Sequence, residues 1–402
     1  MPKRIALIAS FYPEFLEDVY RQNPDLENRP FDEQRQFLLD TSFALGDAYS
    51  ANLRALGCAA DDLICNADRL QTQWVKESRP DLLAALDSNI HDRRRQIIRA
   101  QVEHLRPDVV YVFEWSPLGD DFLHAIKEIA PLLVGQVSST LPTNRTFAAY
   151  DLMLSSWPPI VSWFRDRGMR AEHFKAGFDE RVLAGLSAPS TSIRDASSDG
   201  QQASDMTLSS AERRGFDVTF VGGFSPAHED RIPWLESILE HEPVDVFGYG
   251  IERVPEGSPI HAHYRGPAWG NRMYEILANS KVTLHLQASI TVDGSASRGF
   301  AAAMRFYEAT GVGTCLVTED KPNLSELFEP GKEVLAYGSI DEAVEMIRAM
   351  KMDHETRERI ARAGQARTLS SHTYAVRMKE LLDLLADSPP TGRKLASISG
   401  SG

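Results

Sequence analysis

Short apolar runs alternate with stretches of helical periodicity along most of the chain. Ile5-Ala6-Leu7-Ile8-Ala9 is an apolar run of strand length behind a charged start. Leu45, Tyr49, Leu53 and Leu56 recur every three or four residues, which predicts a helix stopped at Gly57 by a left-handed cap. Ile90, Ile97, Ile98, Val102 and Leu105 mark a second helix, ended by Pro107. Residues 108–113, 132–137 and 150–155 read as further strands, with a helix near 122–130. Strands that are apolar throughout and separated by helices predict a parallel sheet covered on both faces.

The alternation lapses at residues 187–211. Eight serines fall there with almost no large apolar side chains, so nothing offsets the entropy of ordering, and a flexible linker or insertion is predicted. It restarts with a strand at 216–221 closed by Gly222-Gly223, a helix at 232–239, a strand at 244–247 and the turn Gly248-Tyr249-Gly250. A helix at 273–278, a strand at 282–286, a helix at 301–310 ended by Gly311, and a strand at 314–318 follow. A strand at 334–337, a helix at 341–350 and a last helix at 375–385 complete the pattern, before a polar tail expected to be disordered. The organisation predicted is an N-terminal Rossmann-like domain over 1–178, a linker over 187–211 and a second such domain over 216–368. A closing helix over 369–388 and a tail over 389–402 end the chain. The two α/β domains are expected to face across a cleft, with ligands at the carboxyl ends of the strands.

Composition narrows the partners. The 402 residues carry 43 basic and 57 acidic side chains, a net charge of -14, which argues against a general nucleic-acid binder. No apolar run reaches the roughly 20 residues of a membrane span. The three cysteines, Cys58, Cys65 and Cys315, have neither zinc nor disulfide-framework spacing, so a reduced, cytoplasmic protein is expected. The charge divides unevenly. Residues 1–178 hold 20 basic and 25 acidic side chains, and residues 216–368 hold 15 and 23.

Two stretches carry candidate chemistry. At Val221-Gly222-Gly223-Phe224-Ser225 the glycines follow a strand, and a helix comes next. Glycine there admits a ligand to the backbone, and a helix amino end offers N–H donors to an anion, though a plain turn has the same sequence. The second stretch runs from Ala303-Met304-Arg305-Phe306-Tyr307-Glu308 through Thr318, then Asn323-Leu324 to Tyr337. Together with Tyr264-Arg265-Gly266-Pro267-Ala268-Trp269-Gly270 and His372-Thr373-Tyr374, it resembles the carboxyl-terminal half of CgeB-like (spore maturation protein type) glycosyltransferases. That family has the GT-B fold. The resemblance covers about residues 216–385 and is looser over 1–180.

The resemblance implies transfer of a sugar from a UDP-, GDP- or dTDP-linked donor, held by the second domain, to an unidentified glycan, protein or small molecule. It implies no metal and no other cofactor. Glu308 would accept hydrogen bonds from the ribose hydroxyls, for which a carboxylate is suited. Arg305, one turn earlier, would meet the diphosphate with its planar fork, unless the two form only a helical ion pair. Arg231 would be a second diphosphate cation, Tyr249 would border the base, Arg298 and Gly299 would cradle the diphosphate, and Asn323 and Leu324 would place donors near the sugar. In the first domain Glu114 is the candidate general base, with Asp120 or Asp121 beside it. Two departures stand out. Phe300 occupies the place of a Glu that many retaining relatives carry, and Ala303 that of a frequent Asn. They leave the stereochemical outcome open, and with it two rivals, a nucleotide-sugar epimerase of the same fold and a catalytically silent sugar-nucleotide binding protein.

Overall fold

The computed structural model describes residues 3–113, 118–142, 145–186, 215–297 and 299–387. The predicted linker and tail lie outside them, as do Glu114 and Arg298. Contacts divide the chain into two compact units. One comprises Met1–Leu38, Asp47–Phe174 and Met378–Gly402, the other Leu39–Gly46 and Lys175–Arg377.

The first unit holds β1 (Arg4–Ala9), β2 (Ala59–Ile64), β3 (Val109–Val112), β4 (Leu132–Gln136), β5 (Leu152–Ser155) and β6 (Ala171–His173). All pairs are parallel, in the order β2-β1-β3-β4-β5-β6. The central strands are those the apolar runs predict, and Ile5 to Ile8 are at most 1% exposed. The two strands that the pattern does not announce, β2 and β6, are the edges. An edge strand pairs on one side only, so polar residues such as Asp61, Asp62 and Glu172 are tolerated there.

The second unit holds β7 (Phe216–Val221), β8 (Asp245–Phe247), β9 (Ser280–His285), a hairpin of β10 (Ile290–Val292) and β11 (Ser295–Ser297), then β12 (Cys315–Glu319) and β13 (Leu335–Tyr337). Its parallel sheet has the order β13-β12-β9-β7-β8. Each face carries its own core. Val218, Phe220, Val282, Leu284 and Val317 meet one group of helices. Phe306, Tyr307, Ala309, Leu316 and Phe328 lie in the other core. Because side chains alternate along a strand, Thr219, Thr283 and His285 point away from Val282 and Leu284. The Thr219 hydroxyl lies within hydrogen-bond distance of Ser280 Oγ (2.9 Å) and Thr283 Oγ1 (3.1 Å), so hydroxyls buried in that sheet find partners in one another.

Several boundaries differ from the pattern. Residues 39–46, expected in the first domain, belong to the second unit. The Asn271 N–H donates to Thr41 O and its side-chain amide to Asp40 O, each at 2.8 Å, and Phe43 sets its edge on Trp269. In the closing segment expected over 369–388, the helix Tyr374–Ala386 matches the one read at 375–385, the helix before it, His354–Ser371, reaches into its start, and the chain returns to the first unit at Met378. There Lys3 Nζ donates to Leu385 O (3.0 Å) and Arg170 to Leu384 O (3.1 Å). The helix expected over 301–310 runs Arg305–Gly311, because Asn323 holds the backbone of Ala301 out of it.

Gly270 tests the place of residues 39–46. Its φ is +50°, and a Cβ there would stand 2.0 Å from Thr41 O. Gly270→Ala is expected to destabilise the protein by about 2–4 kcal/mol in a denaturant titration. Gly257→Ala, with nothing within 4 Å of the added carbon, is expected to stay within about 0.5 kcal/mol.

Candidate functional site

The carboxyl ends of β7 and β8 continue into two turns whose backbones touch. Gly222 N–H donates to Phe247 O (2.9 Å), Phe224 N–H to Tyr249 O (2.9 Å), and Gly248 N–H to Gly266 O (3.0 Å). A Cβ at Gly248 would lie 1.9 Å from Gly222 O, and one at Gly250 2.2 Å from Phe224 O, both at positive φ. These turns need glycine for each other. At Gly223 the Tyr249 ring stands 2.2 Å from where a Cβ would be. Tyr249 in turn stacks on Trp269, centroids 5.3 Å apart and planes 19° apart.

Arg231 opens the helix Arg231–Leu239, after a separate turn at Pro226–His228. It is 9% exposed. Its Nη1 donates to Gly223 O (2.8 Å) and its Nη2 to Leu286 O (3.3 Å), so the guanidinium stitches the end of β7 to the end of β9. A cation held there bears on the histidines around it. Burial, then Arg231, brings the His228 pKa down to about 3. Burial, then Arg231, Arg305, His228 and Lys321, holds His285 well below the usual histidine range. Both rings are neutral. His285 Nδ1 hydrogen-bonds with Thr318 Oγ1 (3.1 Å), and its ring lies 4.8 Å from that of Phe306.

Arg305 and Glu308 form an ion pair (Nη1 to Oε2, 2.8 Å) that is buried and not on a solvated helix face. Arg305 also donates to the Met273 sulfur (2.8 Å). Burial raises the Glu308 pKa and Arg305 pulls it back only in part. Tyr274 shares this interior, and burial followed by the Glu308 charge lifts its pKa well above the ordinary value.

The remaining residues of the second unit are committed to the backbone. Asn323 accepts from Ala301 N–H (2.7 Å) and donates to Ala301 O (2.9 Å), so its amide is a clamp on the stretch before Arg305. Leu324 is fully buried and its N–H donates to Lys321 O. Gly299 N–H donates to Ser297 Oγ (3.0 Å). Gly222, Gly223, Arg231 and Tyr249 thus form one group at the ends of β7 and β8. Arg305 and Glu308 form another beside β9 and β12, and His285, which the residue pattern does not single out, feels both Arg231 and Arg305. In the first unit Asp120 accepts from Thr146 N–H and Oγ1 and from Arg145 Nε (2.7–2.8 Å). Burial opposes its ionisation, but these bonds outweigh it and hold the carboxyl below its usual pKa, so Asp120 is a poor proton acceptor. Trp157 is fully buried and Trp163 lies under the Arg167 guanidinium, which gives both a packing role.

The neutral histidines make a direct prediction. Burial, offset in part by the bond to Leu327 O, brings the His372 pKa down to about 4. On acidification the unfolded chain takes up protons at these positions first. Their stability contribution is complete above the histidine value of about 6.5 and is lost as pH falls toward the folded values. Ring-proton NMR is expected to show His228, His285 and His372 without titration between about pH 5 and 8, where an ordinary histidine titrates.

Residues 226–383 match the model of the family described as glycosyl transferase-like. No curated protein sequence matches the chain. Among solved structures, the Anabaena protein HepE in complex with UDP-glucose is similar over 96% of this chain and all of its own, at 12% identity and a TM-score of 0.55. A glycosyltransferase from Rickettsia africae is similar over 97% of this chain and all of its own, at 8% identity and TM-score 0.54. The sucrose-phosphate synthase of Thermosynechococcus elongatus covers 96% and 100%, at 10% and 0.52. The chain has the GT-B fold, and its segment 226–383 is glycosyl transferase-like.

Proposed function

We propose that the protein is a glycosyltransferase that moves a sugar from a nucleotide-diphosphate sugar to an acceptor, without a metal ion. The observation that carries this reading is the buried Arg305–Glu308 pair together with the buried Arg231 guanidinium, which bonds to Gly223 O and Leu286 O just past the carboxyl ends of β7 and β9. It occurs in a stretch whose own balance is 15 basic against 23 acidic side chains. Bulk attraction does not draw an anionic donor to such a unit; a focused positive spot does. The buried carboxylate of Glu308 stands beside it, and its two oxygens have lone pairs beyond the one Arg305 engages, as a ribose diol requires. The glycosyl transferase-like segment and the likeness to a UDP-glucose complex support the same assignment.

In this mechanism the second unit holds the donor and the first the acceptor. Arg305, with Arg231 behind it, stabilises charge building on the leaving diphosphate, and positioning of the acceptor hydroxyl supplies most of the remaining barrier reduction. Glu114 is retained as the proposed general base on its sequence position alone. The closer resemblance to the CgeB-like family and a cytoplasmic setting belong to the same proposal.

UDP is expected to raise the thermal midpoint of the parent, since a ligand that binds only the folded state stabilises it. Glu308→Ala and Arg305→Ala are each expected to weaken UDP binding about tenfold or more. Unchanged binding of UDP, GDP and dTDP by both variants contradicts the donor-site assignment. Acceptor-dependent release of nucleoside diphosphate separates a transferase from an epimerase and from a silent binder.

A further inference from the structure

His285 ends the strand β9, and its neighbours fix it closely. In the parallel register Thr318 of β12 stands opposite it. The Thr318 hydroxyl lies 3.1 Å from His285 Nδ1, and the Tyr337 hydroxyl donates to His285 O (3.3 Å). The imidazole is 4.8 Å from the ring of Phe306, the residue after Arg305. Arg231 Nη2 donates to the carbonyl of Leu286, the residue after His285. One residue further, Gln287 Oε1 accepts from Ala302 N–H (3.4 Å), so the same strand end also holds the approach to Arg305.

These bonds decide which ring nitrogen carries the proton. Thr318 is 1% exposed, and among the described residues His285 Nδ1 is the one side-chain partner of its hydroxyl. With the proton on Nδ1, the hydroxyl hydrogen would be buried without an acceptor. With Thr318 donating to Nδ1, both atoms are satisfied and the ring proton stands on Nε2. His285 is 4% exposed, and among the described residues no acceptor lies within hydrogen-bond distance of Nε2. A buried N–H without an acceptor is rare in a folded chain and points to a partner the chain does not supply.

The surroundings give that partner its chemistry. Burial first, then Arg231 and Arg305, keeps the ring uncharged. A neutral imidazole offers a hydrogen bond without adding a further positive charge to the empty site. Beside two guanidinium groups, the acceptor that suits it is an oxygen of an anion.

We propose that His285 Nε2–H donates to a diphosphate oxygen of the bound nucleotide sugar, as a neutral ligand alongside Arg305. This role rests on the donor-site reading; the position of the ring proton does not.

The test uses the full chain. Ring nitrogen-15 NMR of the parent is expected to show Nε2 protonated and Nδ1 as the acceptor, and the reverse assignment overturns the proposal. Saturating UDP is expected to shift the Nε2 signal and slow exchange of its proton; unchanged signals at full occupancy also overturn it. His285→Leu is expected to weaken UDP binding about tenfold, while uridine, measured by displacement of UDP, binds as it does to the parent. His285→Gln keeps an N–H donor at the reach of Nε2 and is expected to bind UDP within about threefold of the parent. Both substitutions remove the acceptor of the Thr318 hydroxyl and both lower the thermal midpoint, so binding and not stability separates them. The ratio of parent to His285→Leu affinity is expected to stay constant from about pH 6 to 8, because the ring is neutral throughout. Undiminished UDP binding by His285→Leu, an equal loss for uridine and UDP, or a ratio that grows as pH falls overturns the role of His285 and leaves the donor site standing. A parent that binds no nucleotide removes the donor-site reading and this role with it.

Discussion

Burying a guanidinium is costly unless its donors find acceptors, and at the carboxyl edge of the second sheet two backbone carbonyls supply them to the terminal nitrogens of Arg231. Gly223 O and Leu286 O accept from it, and they belong to the ends of two neighbouring strands, β7 and β9. The turn that presents Gly223 O is held by the turn after β8, at a separation only glycine allows. Tyr249 covers Gly223, Trp269 stacks on Tyr249, and Phe43, from a distant part of the sequence, closes the stack. Burial first, and the fixed cation second, keep His228 and His285 neutral.

Electrostatics in this unit is local. Acidic side chains outnumber basic ones, yet the basic ones that matter stand at strand ends with little water to screen them. Arg305 and Glu308 illustrate the balance. Burial drives the carboxyl toward its neutral form, and the adjacent guanidinium restrains it. Such a pair is sensitive to any ligand that brings further negative charge, which is the property required of a site for a leaving diphosphate.

The parts of the fold that local pattern dictates were legible in the sequence. The central strands β1, β3, β4, β7, β9 and β12 each carry a run of buried residues because both faces are covered, and the apolar members of that run identify them. The edges β2 and β6 escaped notice because one-sided pairing tolerates Asp61, Asp62 and Glu172. The hairpin of β10 and β11 did carry a signal. Asp293-Gly294, both at positive φ, sits between Ile-Thr-Val and Ser-Ala-Ser, the arrangement a two-residue hairpin turn favours.

What pattern does not reach is tertiary. The helix of Glu308 starts at Arg305 because Asn323, some twenty residues later, holds Ala301 in another conformation. At Gly223 the Tyr249 ring packs where a Cβ would be, and Gly248 packs against the Gly222 carbonyl, contacts between turns that local pattern does not show. The most direct test of the donor site is hydrogen exchange of the full chain with and without saturating UDP. Slowed exchange in peptides spanning 222–231 and 299–311 is the predicted result. Full UDP occupancy with exchange unchanged in both segments would contradict the account.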